Sequence, residues 1–232
     1  MKIRDAVVLV TGANRGIGLA FVREALARGA KTVYAAVRRP EEMQEPGVTA
    51  VRLDVTNPEE ALRLGAELTD VTTVINNAGI LEVGGPLDAD GLTSFRRHME
   101  TNVFGVLNVS HAFAPSLVKH GGGMINVVSA GSWLANPAVG NYAASKAAMW
   151  GLTNNLRCVL EPRGVTVTAL HMSYVDTDMV RQLDVPKASP AAVAVAAFDG
   201  LEAGAREVLF DGFSRQIKAG LSAETALYLG TS

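Results

Sequence analysis

Tyr142 and Lys146 stand four residues apart in Tyr142-Ala143-Ala144-Ser145-Lys146, where a stretch of helical patterning begins. That spacing puts both side chains on one helical face, about one turn apart. A phenol can hand a proton to a developing oxyanion, but an unperturbed tyrosine titrates near ~10. A neighbouring ammonium stabilises the phenolate and draws that value toward the working pH. Taken alone, such a pair reads as a solvated helix face. Its company changes the reading. Ser129 closes a short apolar run thirteen residues before the tyrosine, and Asn76-Asn77-Ala78-Gly79 closes another. Near the start, Thr11-Gly12-Ala13-Asn14-Arg15-Gly16-Ile17-Gly18 follows a Val-rich run and opens into a helical pattern. Glycines there allow a tight turn and close backbone approach, and a helix N-terminus offers free N–H groups to a pyrophosphate. The spacing is Gly-x-x-x-Gly-x-Gly, not the general dinucleotide fingerprint. By itself it leaves a plain strand-to-helix turn open.

The elements that must position these residues are legible from patterning. Runs 6–10, 32–37, 48–53, 71–76, 124–129 and 165–170 are apolar and Val-rich, with 207–210 a seventh. Near-continuous apolarity suits strands covered on both faces, as in parallel sheets. Helical patterns cover 16–29, 58–68, roughly 91–119, 141–161 and 190–203. Asn57-Pro58-Glu59-Glu60 reads as an N-cap followed by proline at the first helical position, and Ser189-Pro190 repeats that signal. Strand–helix alternation throughout predicts an α/β, doubly wound, mostly parallel seven-stranded sheet with helices on both faces. No repeat or linker divides the chain, so residues 1–232 are expected to form a single domain.

With those motifs in place, the chain resembles the short-chain dehydrogenase/reductase family over about residues 5 to 180. The joint occurrence of the glycine loop, Asn-Asn-Ala-Gly, the spaced serine and Tyr-Ala-Ala-Ser-Lys carries the resemblance. It implies a Rossmann-type sheet, a nicotinamide cofactor and a catalytic tetrad of Asn102, Ser129, Tyr142 and Lys146. Within the family's chemistry, Tyr142 supplies the proton when a carbonyl is reduced. Ser129 donates to the substrate oxygen, as in an oxyanion hole. Lys146 also holds the nicotinamide ribose, and Asn102 helps hold a water that links Lys146 to solvent. The implied cofactor residues are Gly12, Asn14, Arg15, Gly16, Ile17 and Gly18 of the loop, Arg38, Asp54, Val55, Asn77, Ala78, Gly79, Tyr142, Lys146, Val175 and Thr177.

Coenzyme choice turns on the end of the second strand, where NAD-selective sites place an acid on the ribose 2′-hydroxyl. Here Val37-Arg38-Arg39 stands, with no acid before Glu41. Arg38, with Arg15 as a second contact, is expected to meet a 2′-phosphate and favour NADP(H) over NAD(H). The alternative is ordinary surface charge. Asp54 has two readings, an adenine contact and a cap for the next turn. After the sixth strand Met172-Ser173 replace the family's Pro-Gly pair, while Thr177 aligns. The loop at about 172–189 is expected to be a small substrate lid. Trp133, Leu134, Met172, Tyr174, Met179 and Leu183 flank the expected site, as apolar pocket or as core packing.

The balance of the chain narrows the classes. A formal net charge of -2 argues against non-specific nucleic-acid binding. Cys158, the single cysteine, excludes an intramolecular disulfide framework and reads as a buried small hydrophobe. His98, His111, His120 and His171 lack metal-ligand spacing and read as surface or helix residues, so no metal is expected. No apolar run of about eighteen residues suggests a membrane span, and the early apolar run is short for a signal peptide. A cytoplasmic protein is expected. Small residues at 143–151 and apolar residues at 103–109 predict a homodimer through those helices, a homotetramer being the alternative. Two rival functions stay open: a serine hydrolase using Ser129 and His171, weakened because Val127 occupies the first glycine of Gly-x-Ser-x-Gly, and a non-enzymatic NADP-binding sensor.

Overall fold

The computed structural model of the protein describes residues 1–229. Seven strands form one sheet in the order β3-β2-β1-β4-β5-β6-β7, and every pairing is parallel. The strands are β1 (Val7–Thr11), β2 (Thr32–Val37), β3 (Thr49–Arg52), β4 (Thr73–Asn76), β5 (Gly123–Val127), β6 (Thr166–His171) and β7 (Glu207–Leu209). The helices are α1 (Gly16–Ala27), α2 (Pro58–Glu67), α3 (Gly91–Met99), α4 (Gly105–His120), α5 (Gly140–Leu160), α6 (Pro190–Glu202) and α7 (Gly212–Ala219). The doubly wound α/β sheet expected from the patterning is the observed fold.

Alternation within the buried strands feeds two cores. In β1, Val8 and Val10 join the cluster that contains Phe21 of α1 and Phe198 of α6. Val7 and Leu9 point the other way, to Leu64 of α2 and to Phe113 and Leu117 of α4. Phe21 and Phe198 meet edge to face at 5.3 Å. Fully burying a side chain of this size contributes about 1.5–3 kcal/mol before packing geometry is counted. Asn57 caps α2 as expected, its side chain accepting from the N–H groups of Glu59 and Glu60. Ser189 precedes α6 but makes no side-chain cap.

Three expectations need correction. The helical pattern 91–119 is two helices joined by a π turn, Glu100–Phe104, which the 3.6-residue period does not reveal. Cys158 is exposed on α5 rather than buried, because the outer face of that helix carries it. His171 is neither a surface nor a helix residue: it ends β6 and is fully buried. His98 does lie on a helix but is also fully buried, whereas His111 and His120 are exposed.

The order of strands reverses between β1 and β4, where connections leave for opposite sides of the sheet. A crevice opens there beyond the carboxyl ends of the strands. The loops after β1, β2, β4, β5 and β6 all border it.

Candidate active site

A cleft of about 1040 Å³ occupies that crevice. Its floor is the glycine loop, lashed to the segment after β4. Asn77 Nδ2 donates to the carbonyls of Thr11 at 2.9 Å and Gly12 at 3.2 Å. The Thr11 hydroxyl in turn accepts from the N–H groups of Asn77 and Ala78, each at 3.0 Å. Packing here is too close for side chains. A Cβ on Gly18 would sit 2.1 Å from the Gly12 carbonyl oxygen, and one on Gly12 would sit 3.0 Å from Ala78 Cα. Gly12 also needs its φ of 63°. α1 then begins without a side-chain cap or an acid in its first turn, leaving its first N–H groups free for an anion.

Arg38, one residue past β2, is exposed at the cleft and has no ion-pair partner among the described residues. Arg39 pairs with Glu42 at 2.7 Å. Arg15 reaches across to Asp178 at 3.3 Å, and Asp178 also pairs with Arg181. Asp54 makes the local cap expected as one of its two readings. It lines the cleft, and its Oδ1 accepts from the N–H and hydroxyl of Thr56 at 3.0 and 2.8 Å. Val55, Asn14, Gly16, Ile17, Gly79, Val175 and Thr177 line the same cleft.

Deeper in, α5 places Tyr142 in its first turn and Lys146 one turn on. Lys146 is buried, and its ammonium donates to the Val127 carbonyl at 2.9 Å and lies 5.7 Å from the Tyr142 ring centroid. Burial pushes Lys146 down to about 8. Burial pushes the Tyr142 phenol up, and the Ser129 hydroxyl facing it acts the other way. The lowered tyrosine expected from Lys146 is therefore not what the chain's own groups produce: desolvation outweighs the hydrogen bond from Ser129.

Ser129 lies two residues beyond β5, in extended backbone, capping the 3₁₀ turn Ala130–Trp133. Its hydroxyl accepts from the Gly131 N–H at 3.0 Å. Asn102 sits in the π turn, fully buried, with its amide exchanging bonds with Ile80: Oδ1 accepts at 2.8 Å and Nδ2 donates at 3.0 Å. A Cβ on Gly79 would stand 3.1 Å from Asn102 Oδ1 and 3.7 Å from Lys146 Nζ, so both groups adjoin Gly79, Lys146 lining the cleft and Asn102 buried behind it.

The loop after β6, where Met172-Ser173 stand in place of Pro-Gly, is anchored by Asp211. The N–H and hydroxyl of Ser173 both donate to Asp211 Oδ2, at 2.7 and 2.8 Å. The other oxygen of Asp211 caps α7 through the Ser214 N–H at 2.7 Å. An isolated bridge between Val175 and Ala188 closes the base of the 172–189 loop. Leu134, Met172, Tyr174, Met179 and Leu183 do line the cleft, with Leu81, Val83, Val139 and Phe213, which patterning did not single out. Trp133 does not line it. It is buried against His171.

His98 has a structural role that its spacing did not reveal. Its Nδ1 faces the Ser94 carbonyl at 2.8 Å and its Nε2 accepts from the Glu82 N–H at 3.1 Å, fixing the loop that borders Tyr142. The guanidinium of Arg97, with the Ser94 hydroxyl, holds Glu82 down to about 2. The hydrolase arrangement does not form, since His171 faces the Ser129 carbonyl rather than its hydroxyl. Among the described residues no group of three metal-ligating side chains occurs, and no helix is long and apolar enough to cross a membrane.

Comparison with known proteins places this geometry in a family. The family model described as short chain dehydrogenase matches residues 6–187. The 1-deoxy-11-beta-hydroxypentalenate dehydrogenase of Streptomyces exfoliatus is 36% identical over 214 residues, spanning 86% of this chain and 78% of that protein. The 3-oxoacyl-acyl-carrier-protein reductase FabG of Vibrio cholerae is 32% identical over 201 residues, 79% of each chain. A short chain dehydrogenase from Burkholderia cenocepacia J2315, solved in complex with NADP, superposes with a TM-score of 0.92 at 38% identity. The match covers 97% of this chain and 95% of that one. The chain belongs to the short-chain dehydrogenase/reductase family of oxidoreductases.

Proposed function

We propose that the protein reduces an aldehyde or ketone to an alcohol, reversibly, with NADP(H) preferred over NAD(H). The observation that carries this reading is the gathering of Ser129, Tyr142 and Lys146 at one end of a cleft whose other end is the glycine loop, with Asn102 buried behind Gly79. The residues present fit a nicotinamide dinucleotide. Gly12 and Gly18 leave a cradle that a Cβ would fill, and α1 opens with free N–H groups. Lys146 is a buried cation whose one oxygen partner is a main-chain carbonyl. Such a cofactor supplies the hydride.

The chain's own residues do the rest. The Tyr142 hydroxyl delivers the proton that turns the reduced carbonyl oxygen into an alcohol. The Ser129 hydroxyl donates a hydrogen bond to the same oxygen, worth most as negative charge builds there. Lys146 would hold the ribose end of the cofactor and favours the phenolate as the proton leaves. Asn102, beside Lys146 across Gly79, is read as holding the water that resupplies the proton. Arg38 would hold a 2′-phosphate. Its freedom from acidic partners supports that role, whereas Arg15 would have to leave Asp178 to contribute.

Apolar side chains such as Leu134, Val139, Met179 and Phe213 line the remaining cleft, which suits an uncharged carbonyl compound. A homodimer is part of the same reading. Phe104 and Leu107 are exposed on one side of the π turn and α4, while Val103, Val106 and Val109 are buried. Ala144 and Ala147 are exposed on α5, and nothing lies within 4 Å of a Cβ built on Gly151. The deciding experiment follows NADPH oxidation optically across a panel of aldehydes and ketones. Turnover supports the reading; cofactor binding without turnover of any carbonyl compound would favour the sensor.

A further inference from the structure

We propose that His171 is a positioning residue for Ser129, clamping the main chain from which the serine hydroxyl reaches the reacting oxygen. This rests on the role given to Ser129 above. The imidazole is fully buried at the end of β6, and its Nδ1 lies 3.1 Å from the Ser129 carbonyl oxygen. A carbonyl can only accept, so Nδ1 carries the proton and Nε2 the lone pair. The face of the ring stacks on Trp133 at 4.0 Å and 16°. Trp133 ends the 3₁₀ turn that Ser129 caps. One ring therefore grips both ends of the turn, its edge on Ser129 and its face on Trp133.

Other bonds complete the grip. The Ser132 N–H and hydroxyl donate to the same Ser129 carbonyl at 3.2 and 2.7 Å, and the Ala130 N–H donates to the Met172 carbonyl at 2.9 Å. With its carbonyl held and its backbone extended, Ser129 keeps its hydroxyl beside Tyr142: a Cβ built on Gly131 would lie 3.2 Å from Ser129 Oγ and 3.6 Å from Tyr142 Cε1.

The other side of the ring argues against mere filling. Among the described residues Nε2 has no hydrogen-bond partner, and Glu207 Oε1 stands 3.8 Å away. That carboxylate is already engaged by Trp150 Nε1 at 3.0 Å and by Lys218. A buried unsatisfied nitrogen is costly, and an apolar side chain of the same shape would avoid the cost. The polar ring makes sense if its Nδ1–H is needed. Burial pushes His171 down to about 4, against the Ser129 carbonyl and with Lys218, Arg157 and Lys146 adding to the fall, so the ring stays neutral at ordinary pH.

The test compares wild type, Ser129→Ala, His171→Phe and His171→Asn with NADPH and benzaldehyde or cyclohexanone as probes. An asparagine amide can take the place of Nδ1–H, whereas phenylalanine fills the space without a donor. His171→Phe should lower kcat about tenfold, as a small misplacement of a reacting group does, with KM and NADPH affinity within about twofold. His171→Asn should recover most of kcat. Equal kcat in His171→Phe and wild type, or equal losses in the Phe and Asn variants, would overturn the proposal. Wild-type turnover surviving Ser129→Ala would instead overturn the role of Ser129 itself. Should the Phe variant not fold, ¹⁵N NMR of wild-type His171 still decides. The proposal expects the proton on Nδ1 from about pH 5 to 8, and a proton on Nε2 or a titration in that range contradicts it.

Discussion

The carboxylate of Asp211 accepts both the N–H and the hydroxyl of Ser173, tying the loop after β6 to the cap of the last helix. Burial alone would raise this carboxyl; the N–H groups of Ser173 and Ser214 and the Ser173 hydroxyl outweigh it and hold the group below its usual range. Asp211→Ala should cost roughly 1–2 kcal/mol, the upper part of the range for losing a cap, and should raise KM for the cofactor by loosening Val175 and Thr177. A depressed carboxyl stabilises above its unfolded pKa and loses that contribution as pH falls through the folded one. The stability gap between wild type and Asp211→Ala should therefore shrink below about pH 4. Urea titrations at descending pH measure it, and a gap that widens in acid would contradict the assignment.

Tyr142→Phe should abolish turnover by about 10²–10⁴-fold or more while leaving NADPH affinity nearly intact. Stopped-flow rates alongside fluorescence titration of the cofactor separate the two quantities. Wild-type rates in the Phe variant would mean that another group is the proton donor.

Lys146 carries a pH signature in stability. Its folded pKa of about 8 lies below the ordinary lysine value, so the unfolded chain binds the extra proton between the two. Stability should rise with pH across about 8 to 10, and Lys146→Met should be flatter there and weaker in cofactor binding. A wild-type curve that falls through this window would show that the ammonium is not paying a burial cost.

Arg38→Asp should reverse coenzyme preference. A charge-assisted contact to the 2′-phosphate contributes roughly 1.5–3 kcal/mol, or about ten- to hundredfold in affinity. The new carboxylate would repel the phosphate and accept from the ribose hydroxyl of NADH. The dissociation constants of both reduced cofactors give the answer, and tighter NADH binding by wild type would overturn it.

Leu107→Glu, with Phe104→Asp as a second variant, should convert the proposed dimer to a monomer by placing charge on the exposed stripe. Light scattering at micromolar concentration reads the mass. A monomeric wild type would end the dimer reading.

How much of this was legible in the residues follows from range. Val-rich runs such as Val7–Thr11 revealed the strands because burial on both faces leaves a mark in composition. Tyr142 and Lys146, four apart on one helix, revealed themselves by local spacing. The π turn at Glu100–Phe104 did not, since one added residue leaves the polar pattern almost unchanged. The partners of Ser173 and Ser129 lie far along the chain, 38 residues away at Asp211 and 42 at His171. Contacts of that kind depend on the order of strands, and no short motif encodes them. Cys158 was misplaced for a related reason: helix α5 is apolar on more than its core side, so composition alone does not tell which face is covered.

Because every strand runs in the same direction, the loops that border the cleft all leave from one rim, and the opposite rim only returns helices to strands. On that rim Gly164 and Gly204 follow α5 and α6, and no atom of the described residues lies within 4 Å of a Cβ built on either. These are the natural places to splice in a tag, a reporter domain or new chain termini. An insertion there lengthens a surface turn at small entropic cost and leaves the reacting groups at the far end of the sheet where they were.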